Sequence, residues 1–446
     1  MLNWTHTDIT EGERLVTLTG LYMNTIDKGE VVAAAFDTET TGLHHIYDKP
    51  FLFQFGWCTA TDGYTYAVDL ERYPELSRRV ITMWNVLAAQ APIYLGHNVK
   101  FDLNMLENIR LPYRAPNISD TMIWIRLGSD AIPERKGGSP LGLKPFAKRY
   151  ITPDARFMDS KLQEERTQIS KDLNLKLKRR LGWTKKQIDD FFKDKLNTKD
   201  DLPEDKKQAY EEWFTLDLPL WLQDKITGSV DSDDIPYNKL NRENVVYYGH
   251  LDIVWTIETW LKVSEIVKLR GNLDAVKREE ANIYPLVRME RVGFKIDYSY
   301  LKKAHDDLKE YIRARREDLC IIAGEQLKAS QSARILELLN DTFNLKVTTT
   351  DAEELSKKVS DLKRANPDHP AIDFIETLQE LRTLEKWYST YIVRFMRGFR
   401  EDDGKLYTTI NQAGTVSGRV TSDFQQFPKE GITTLDGREI FQPRRM

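Results

Sequence analysis

Cysteine is scarce: the 446 residues include only Cys58 and Cys320. They stand far apart and form no CxxC pair, which argues against a disulfide scaffold and a cysteine-rich zinc site and fits a reducing cytoplasm. No apolar run approaches the roughly 20 residues of a membrane span, so no membrane partner is expected. The first residues, Met1-Leu2-Asn3-Trp4-Thr5-His6, lack a basic stretch followed by an apolar one, and no signal peptide is visible. Seven histidines are scattered without an HExxH pattern. Charge of one sign is lacking too. Lys and Arg number 65 and Asp and Glu 69, a net charge of −4, so the chain is no basic coat for nucleic acid. A local basic groove remains compatible with that sum.

What is present is a large globular composition. Hydrophobic residues at 41% and aromatics at 11% exclude global disorder, and 30% charged residues suit a soluble surface. At roughly 150 residues per domain, the length suggests about three domains, or one large and one medium.

The first 130 residues read as alternating strands and helices. Val31 to Phe36 is an apolar run of buried-strand length that ends in Asp37 and Glu39. Phe51 to Cys58 and Gly63 to Val68 follow as strands, with Thr61-Asp62-Gly63 as a hairpin turn. A helix is expected over 75–90, a strand at Ile93-Tyr94-Leu95 and a helix over 101–109, giving an α/β domain with a mixed sheet. Residues 152–244 turn rich in Lys, Asp and Glu and read as helical and peripheral. Leu251, Val254, Ile257 and Leu261 form a helical stripe. From Ala275 to about Phe399 the pattern is nearly all helix, and the last 40 residues change to short β-like pieces.

Three acidic elements carry the chemistry. Asp37 and Glu39 stand two apart at a strand end, so both side chains share one face. Alone, they read equally as solvated acids capping a turn. Asp102 falls on the first turns of a helix starting near Asn98, and His97 beside it reads as structural. Tyr248 and Asp252 stand four apart on one helix face, a spacing that an ordinary surface helix also shows. Together, four carboxylates from three elements suit the hard ions Mg²⁺ or Mn²⁺. Two such ions, roughly 3.5–4 Å apart, clamp the attacking and leaving oxygens of a phosphoryl transfer.

Asp37-Thr38-Glu39, Asn98 to Asp102 and Tyr248 to Asp252 resemble the three motifs of the 3′–5′ proofreading exonucleases, DEDD enzymes with an RNase H-like fold. The tyrosine four before the last acid matches the tyrosine subclass; the other subclass has a histidine five before it, where this chain has Tyr247. Asp120-Thr121-Met122 and Leu141 to Tyr150 resemble later helices of that family. The resemblance implies two Mg²⁺ ions, or Mn²⁺, on Asp37, Glu39, Asp102 and Asp252, with Tyr248 orienting the attacking water. It also implies DNA contacts from Leu43, against the terminal base, and from Asn98 and Phe101. The 152–244 block is longer than the family's spacing between motifs leads one to expect.

A second resemblance covers the rest. Leu286 to Asp297 with Leu301 is similar to the start of the polymerase region of family A DNA polymerases, and Ser330 to Leu345 resembles the next segment. Leu381 to Lys386 with Ser389 to Ile392 resembles the thumb helix. Thr415 to Ser422, with Gln425 and Pro428, resembles the strand leading into the palm. Asp297-Tyr298-Ser299 mimics a palm metal motif but lies before the thumb. The implied organisation is an exonuclease domain over 1–262 with an insertion over 152–244, a helical thumb-like region over 263–400, and an incomplete palm over 401–446. The family's palm acids and fingers helix would follow Met446. The expectation is therefore a fragment, or a split polymerase of phage or bacterial cytoplasmic replication completed by a separate C-terminal chain. A β segment over Leu406 to Val420 should need strand partners.

The expected substrates are single-stranded 3′ ends and, for the thumb, primer–template duplex held through phosphates. Arg419 is implied as a primer–template contact, and Arg438 is a weaker candidate. Lys176, Lys178, Arg179, Arg180, Lys185 and Lys186, and also Arg394, Arg397 and Arg400, read either as phosphate contacts or as solvated helix faces. Trp57, Trp183, Trp213 and Trp221 read as packing residues, with base stacking open for one. The alternative from another class is a non-catalytic DNA-binding or assembly subunit of a split polymerase.

Overall fold

The computed structural model describes residues 1–110, 117–128, 141–194, 196–223, 226, 228–399, 403–415, 418–422, 431–433 and 439–442. Contacts divide the chain into two compact units, Met1–Val292 with Thr408–Asp423, and Gly293–Tyr407 with Phe424–Met446.

The first unit is built on a mixed six-stranded sheet. Its elements are β1 (Asn3–Ile9), α1 (Gly12–Asp27), β2 (Ala33–Thr40), β3 (Pro50–Cys58), β4 (Asp62–Asp69), α2 (Ser77–Gln90), β5 (Tyr94–Gly96), α3 (Val99–Asn108), β6 (Ile118–Asp120) and α4 (Thr121–Gly128). The strand order is β1-β4-β3-β2-β5-β6. The antiparallel β2, β3 and β4 form the centre, and β1, β5 and β6 add in parallel. β2 is buried on both faces, which is why its first half is a continuous apolar run. The strand expected from Val31 is β2 and begins at Ala33, and the sequence reading included neither β1 nor α1.

Helices follow as α5 (Leu143–Tyr150), α6 (Phe157–Leu181), α7 (Lys185–Phe192), α8 (Glu204–Glu212), α9 (Leu220–Gln223), α10 (Arg242–Leu269), α11 (Leu273–Glu280) and α12 (Ile283–Val292). The described residues of 152–244 are largely helical, and several of them are core rather than periphery. Leu162, Leu173, Leu177, Trp213 and Leu222 form a core continuous with Phe51 and Leu52 of β3 and Tyr248 of α10. The Trp213 indole donates to the Leu173 carbonyl at 3.1 Å. Trp57 and Trp213 are fully buried, which excludes base stacking for both; Trp183 and Trp221 pack at the edge of the same core.

α10 lies directly on the sheet. At Gly249 a Cβ would meet the Gln54 amide nitrogen at 2.0 Å, and at Gly56 it would meet Ile253 at 2.8 Å, so both contacts demand glycine. A polar chain secures one end: the Thr65 hydroxyl bonds His250 Nδ1 at 2.8 Å, and His250 Nε2 bonds Asp8 at 2.8 Å. Within this unit Ile410–Asn411 pairs antiparallel with Thr421–Ser422.

The second unit is mainly helical: α13 (Tyr298–Ala323), α14 (Ser332–Glu337), α15 (Ala352–Ala365), α16 (Ala371–Trp387) and α17 (Val393–Gly398). Leu301, Ala304, Leu308 and Ile312 give α13 its buried stripe, at the three- and four-residue spacing of one helix face. Asp297 caps α13 by accepting from the Tyr300 N–H at 3.0 Å, an ordinary helix start. Phe294–Lys295 pairs with Lys405–Leu406, and Ile432–Thr433 with Glu439–Phe441. Among the described residues no helix is long and apolar enough to cross a membrane.

Candidate active site

Asp37 and Glu39 leave the end of β2 on the face that α10 covers, and Asp252 descends from α10 to meet them. Carboxylate oxygens of Asp37, Glu39 and Asp252 all lie within 4.8 Å of one another. Asp102 stands outside that trio but is tied to it. Its Oδ1 accepts from the Thr38 N–H at 3.1 Å and the Thr38 hydroxyl at 2.6 Å. Glu39, Asp102 and Asp252 are buried, and Asp37 is half-buried.

The helix bearing Asp102 is aimed by a second acid. Asp120, at the end of β6, accepts from the N–H groups of Asn98 at 2.9 Å and Val99 at 3.0 Å. These are donors that the start of α3 would otherwise leave unpaired. Asn98 takes the left-handed conformation, φ 58°, that this tight junction requires and that asparagine tolerates. His97 bonds the Thr121 hydroxyl at 2.9 Å, and burial pushes its pKa down to about 3, so it is neutral and structural as expected.

Crowding the acids raises their affinity for protons. Desolvation, then the neighbouring Asp102 and Asp252 charges, hold Asp37 well above the usual carboxylate range. Glu39 is raised well above its range by desolvation and Asp252, against a pull from Lys144. Asp102 is pushed up to about 7 by burial, with its Thr38 hydrogen bonds working the other way.

Sequence reasoning missed Lys144. It lies on α5, ion-pairs with Asp252, and sits 4.3 Å from the centre of the Tyr248 ring. Burial works to lower its pKa, but Asp252 and Asp37 outweigh burial and the net shift is upward. The available signal was electrostatic: four clustered acids call for a buried cation nearby. Tyr248 stands one helical turn before Asp252, and burial followed by the Asp252 charge holds its phenol far above its usual range. It is therefore a hydrogen-bond donor rather than a base.

Beside the cluster runs a groove of about 450 Å³. Thr38, Glu39, Leu43 and Phe101 line one part; Arg166 and Tyr237, from the 152–244 segment, line another. Leu43 is 84% exposed and Phe101 half-buried. The Tyr237 ring meets Tyr248 edge-on at 5.6 Å. Asn98 is exposed but does not line the groove, and Arg419 is exposed within Thr408–Asp423. Arg180 is engaged by Glu212 and Asp217, so its charge is already used within the fold. Val416, Ser417, Gln425, Pro428, Arg400 and Arg438 lie outside the described residues.

Residues 298–446 match the family model for DNA polymerase family A. DNA polymerase I of Bacillus caldotenax is 29% identical over 157 residues, covering 35% of this chain and 18% of that protein. DNA polymerase I of Helicobacter pylori 26695 is 30% identical over 159 residues, 34% of this chain and 17% of that protein. DNA polymerase DpoZ of Vibrio phage phiVC8 is 22% identical over 424 residues, 90% of this chain. The alignment spans 56% of DpoZ, so the chain covers little over half the length of this relative and far less of the bacterial ones. In fold, the chain resembles the POL domain of Pol1 from M. smegmatis, solved in complex with DNA primer-template and dNTP. The TM-score is 0.57 at 15% identity, over 95% of this chain and 56% of that one. Through residues 298–446 the chain is related to the family A DNA polymerases of bacteria and phage.

Proposed function

We propose that the first unit is a metal-dependent 3′–5′ exodeoxyribonuclease, an RNase H-like DEDD domain of the tyrosine subclass, joined to thumb-like and early-palm segments of a family A-like polymerase. The observation that carries this reading is the convergence of Asp37, Glu39 and Asp252 within 4.8 Å, with Asp102 fastened alongside through Thr38. An all-carboxylate donor set, crowded enough to hold its own protons, fits hard divalent cations, and Mg²⁺ or Mn²⁺ would be held by these four acids. When bound, such ions supply Lewis-acid stabilisation of phosphodiester hydrolysis.

The chain's own side chains do the rest. Tyr248, held between Lys144 and Tyr237, donates a hydrogen bond that orients the attacking water. Lys144 adds a fixed positive charge beside the attacked phosphate. Leu43 and Phe101 offer the apolar wall of the groove to the terminal base, and Arg166 and Tyr237 form the other wall. Residues 152–244 are then part of the substrate site as well as of the core. Single-stranded or frayed 3′ ends of DNA are the substrate, and the helical unit and Arg419 grip primer–template duplex through phosphates. The setting is phage or bacterial DNA replication.

The test is a time course on 5′-labelled single-stranded and duplex DNA with Mg²⁺, beside Asp102→Ala. The expected result is a ladder shortening from the 3′ end that the variant loses. A folded wild type that binds DNA without shortening it would favour the rival reading, a non-catalytic DNA-binding subunit. One observation favours that rival: Lys144 already gives the acids an internal counter-charge.

A further inference from the structure

Thr408–Asp423 lies inside the stretch that matches the polymerase family, yet it folds with the first unit. It is anchored at Ile410, whose N–H donates to Glu290 Oε1 at 2.7 Å. Glu290, on α12, is 2% exposed. The same carboxylate accepts from the Asn104 amide at 2.7 Å and forms an ion pair with Lys100. Lys100 and Asn104 stand two residues either side of Asp102 on α3. Two residues is roughly 200° of helix rotation, so they lie on the face away from Asp102. Helix α3 is thus gripped from both sides, by Thr38 through Asp102 and by Glu290 through Lys100 and Asn104.

The next residue extends the grip. Arg291 donates to the carbonyls of Asn104 at 3.1 Å and His45 at 3.2 Å. Asn108 of α3 donates to the carbonyls of His45 at 3.1 Å and Asp48 at 2.6 Å. These bonds hold the loop after β2, which carries Leu43. One buried carboxylate and its neighbour therefore join three things: the helix of Asp102, the loop of Leu43 and the segment of Arg419.

We propose that Glu290 is a positioning residue through which Thr408–Asp423 sets α3 and the Leu43 loop in register with the acid cluster, so that displacing this segment slows hydrolysis. This rests on the exonuclease reading. A buried network with one donor withdrawn is left unsatisfied, and its members re-form elsewhere. Shifts under 1 Å at Asp102 are enough to matter, because a misplacement of about 1 Å costs on the order of a hundredfold.

Ile410→Pro deletes the N–H that Glu290 accepts, and Glu290→Gln removes the shared charge. In the full chain, Ile410→Pro should lower kcat on single-stranded DNA about tenfold, the scale of losing a supporting contact to a metal ligand, with KM changed by less than about twofold. Glu290→Gln should act in the same direction, and the double variant should add little. Amide hydrogen exchange in metal-free protein should quicken over 41–49 and 99–108 in both. Wild-type kcat and wild-type exchange in either folded variant would overturn the proposal. So would a loss of kcat that merely follows the unfolded fraction read from melting. If Glu290→Gln does not fold, Ile410→Pro decides alone. If the wild type hydrolyses nothing, the exonuclease reading fails, and exchange still decides the coupling: quickened exchange supports it and unchanged exchange overturns it.

Discussion

In the Gly293–Tyr407 unit, Lys363 and Glu376 meet at 2.6 Å with side chains 54% and 47% exposed; in the first unit, Lys144 and Asp252 meet with side chains 15% and 7% exposed. The contacts look alike and do different work. Water and salt screen the first pair, and removing it costs the fold little. The second pair stands buried among the carboxylates of Asp37 and Glu39, where water and salt screen it far less. Losing it strands buried charge. The comparison teaches that burial, more than pairing, marks where this chain spends stability on chemistry.

The sharpest way to break the comparison is at the buried end. Asp102→Ala should cut 3′-end hydrolysis by more than about a hundredfold, beyond the usual loss for a supporting contact, with little loss of fold. Rate assays beside circular dichroism check this; a fall below tenfold would remove Asp102 from the site. Next, Trp213→Ala should destabilise the first unit by about 3–5 kcal/mol in denaturant titration, if 152–244 is core rather than ornament. A change under about 1 kcal/mol, the scale of a surface substitution, would return that segment to the periphery.

Lys144→Met and pH sharpen the contrast further. The acids hold protons more tightly when folded, Asp102 up to about 7, than when unfolded, near 4. Between those values the folded state binds more protons, so metal-free stability should fall as pH rises from about 4 to about 7. Lys144→Met should steepen that fall: by pH 8 the loss should reach about 3 kcal/mol, the lower end for breaking a buried pair, and it should shrink at pH 5. Added Mg²⁺ should restore part of it. Melting in chelator across pH 5–8 reads this out; a flat profile would refute the crowding. The smallest effect belongs to the exposed pair, where a Lys363→Ala, Glu376→Ala double-mutant cycle should give a coupling below about 1 kcal/mol.

The legible parts of the molecule are those written locally. Asp37, Glu39, Tyr248 and Asp252 sit in motifs of three to five residues, and period-two and period-four spacing gives their shared faces directly. The strands over 50–58 and 62–69 announce themselves by composition. β1 does not, because Asn3 to Ile9 is short and largely polar, and it earns its place only by pairing with β4. α1 begins at an N-cap, Glu11, that makes no side-chain capping bond. Lys144 is illegible for a different reason: nothing on its own helix explains a buried ammonium, and its partners stand on β2 and α10. The core of 152–244 hides as Leu173, Leu177 and Leu181 diluted among charges. The grip of Glu290 on Ile410 spans 120 residues and has no local trace at all.

That last separation also has a meaning in time. During synthesis at about 5–20 residues per second, Ile410 leaves the ribosome roughly 6–24 s after Glu290. For that interval the far side of α3 lacks one of its clasps. On the exonuclease reading, Asp102 then gains this support only after most of the stretch that matches the polymerase family has been made.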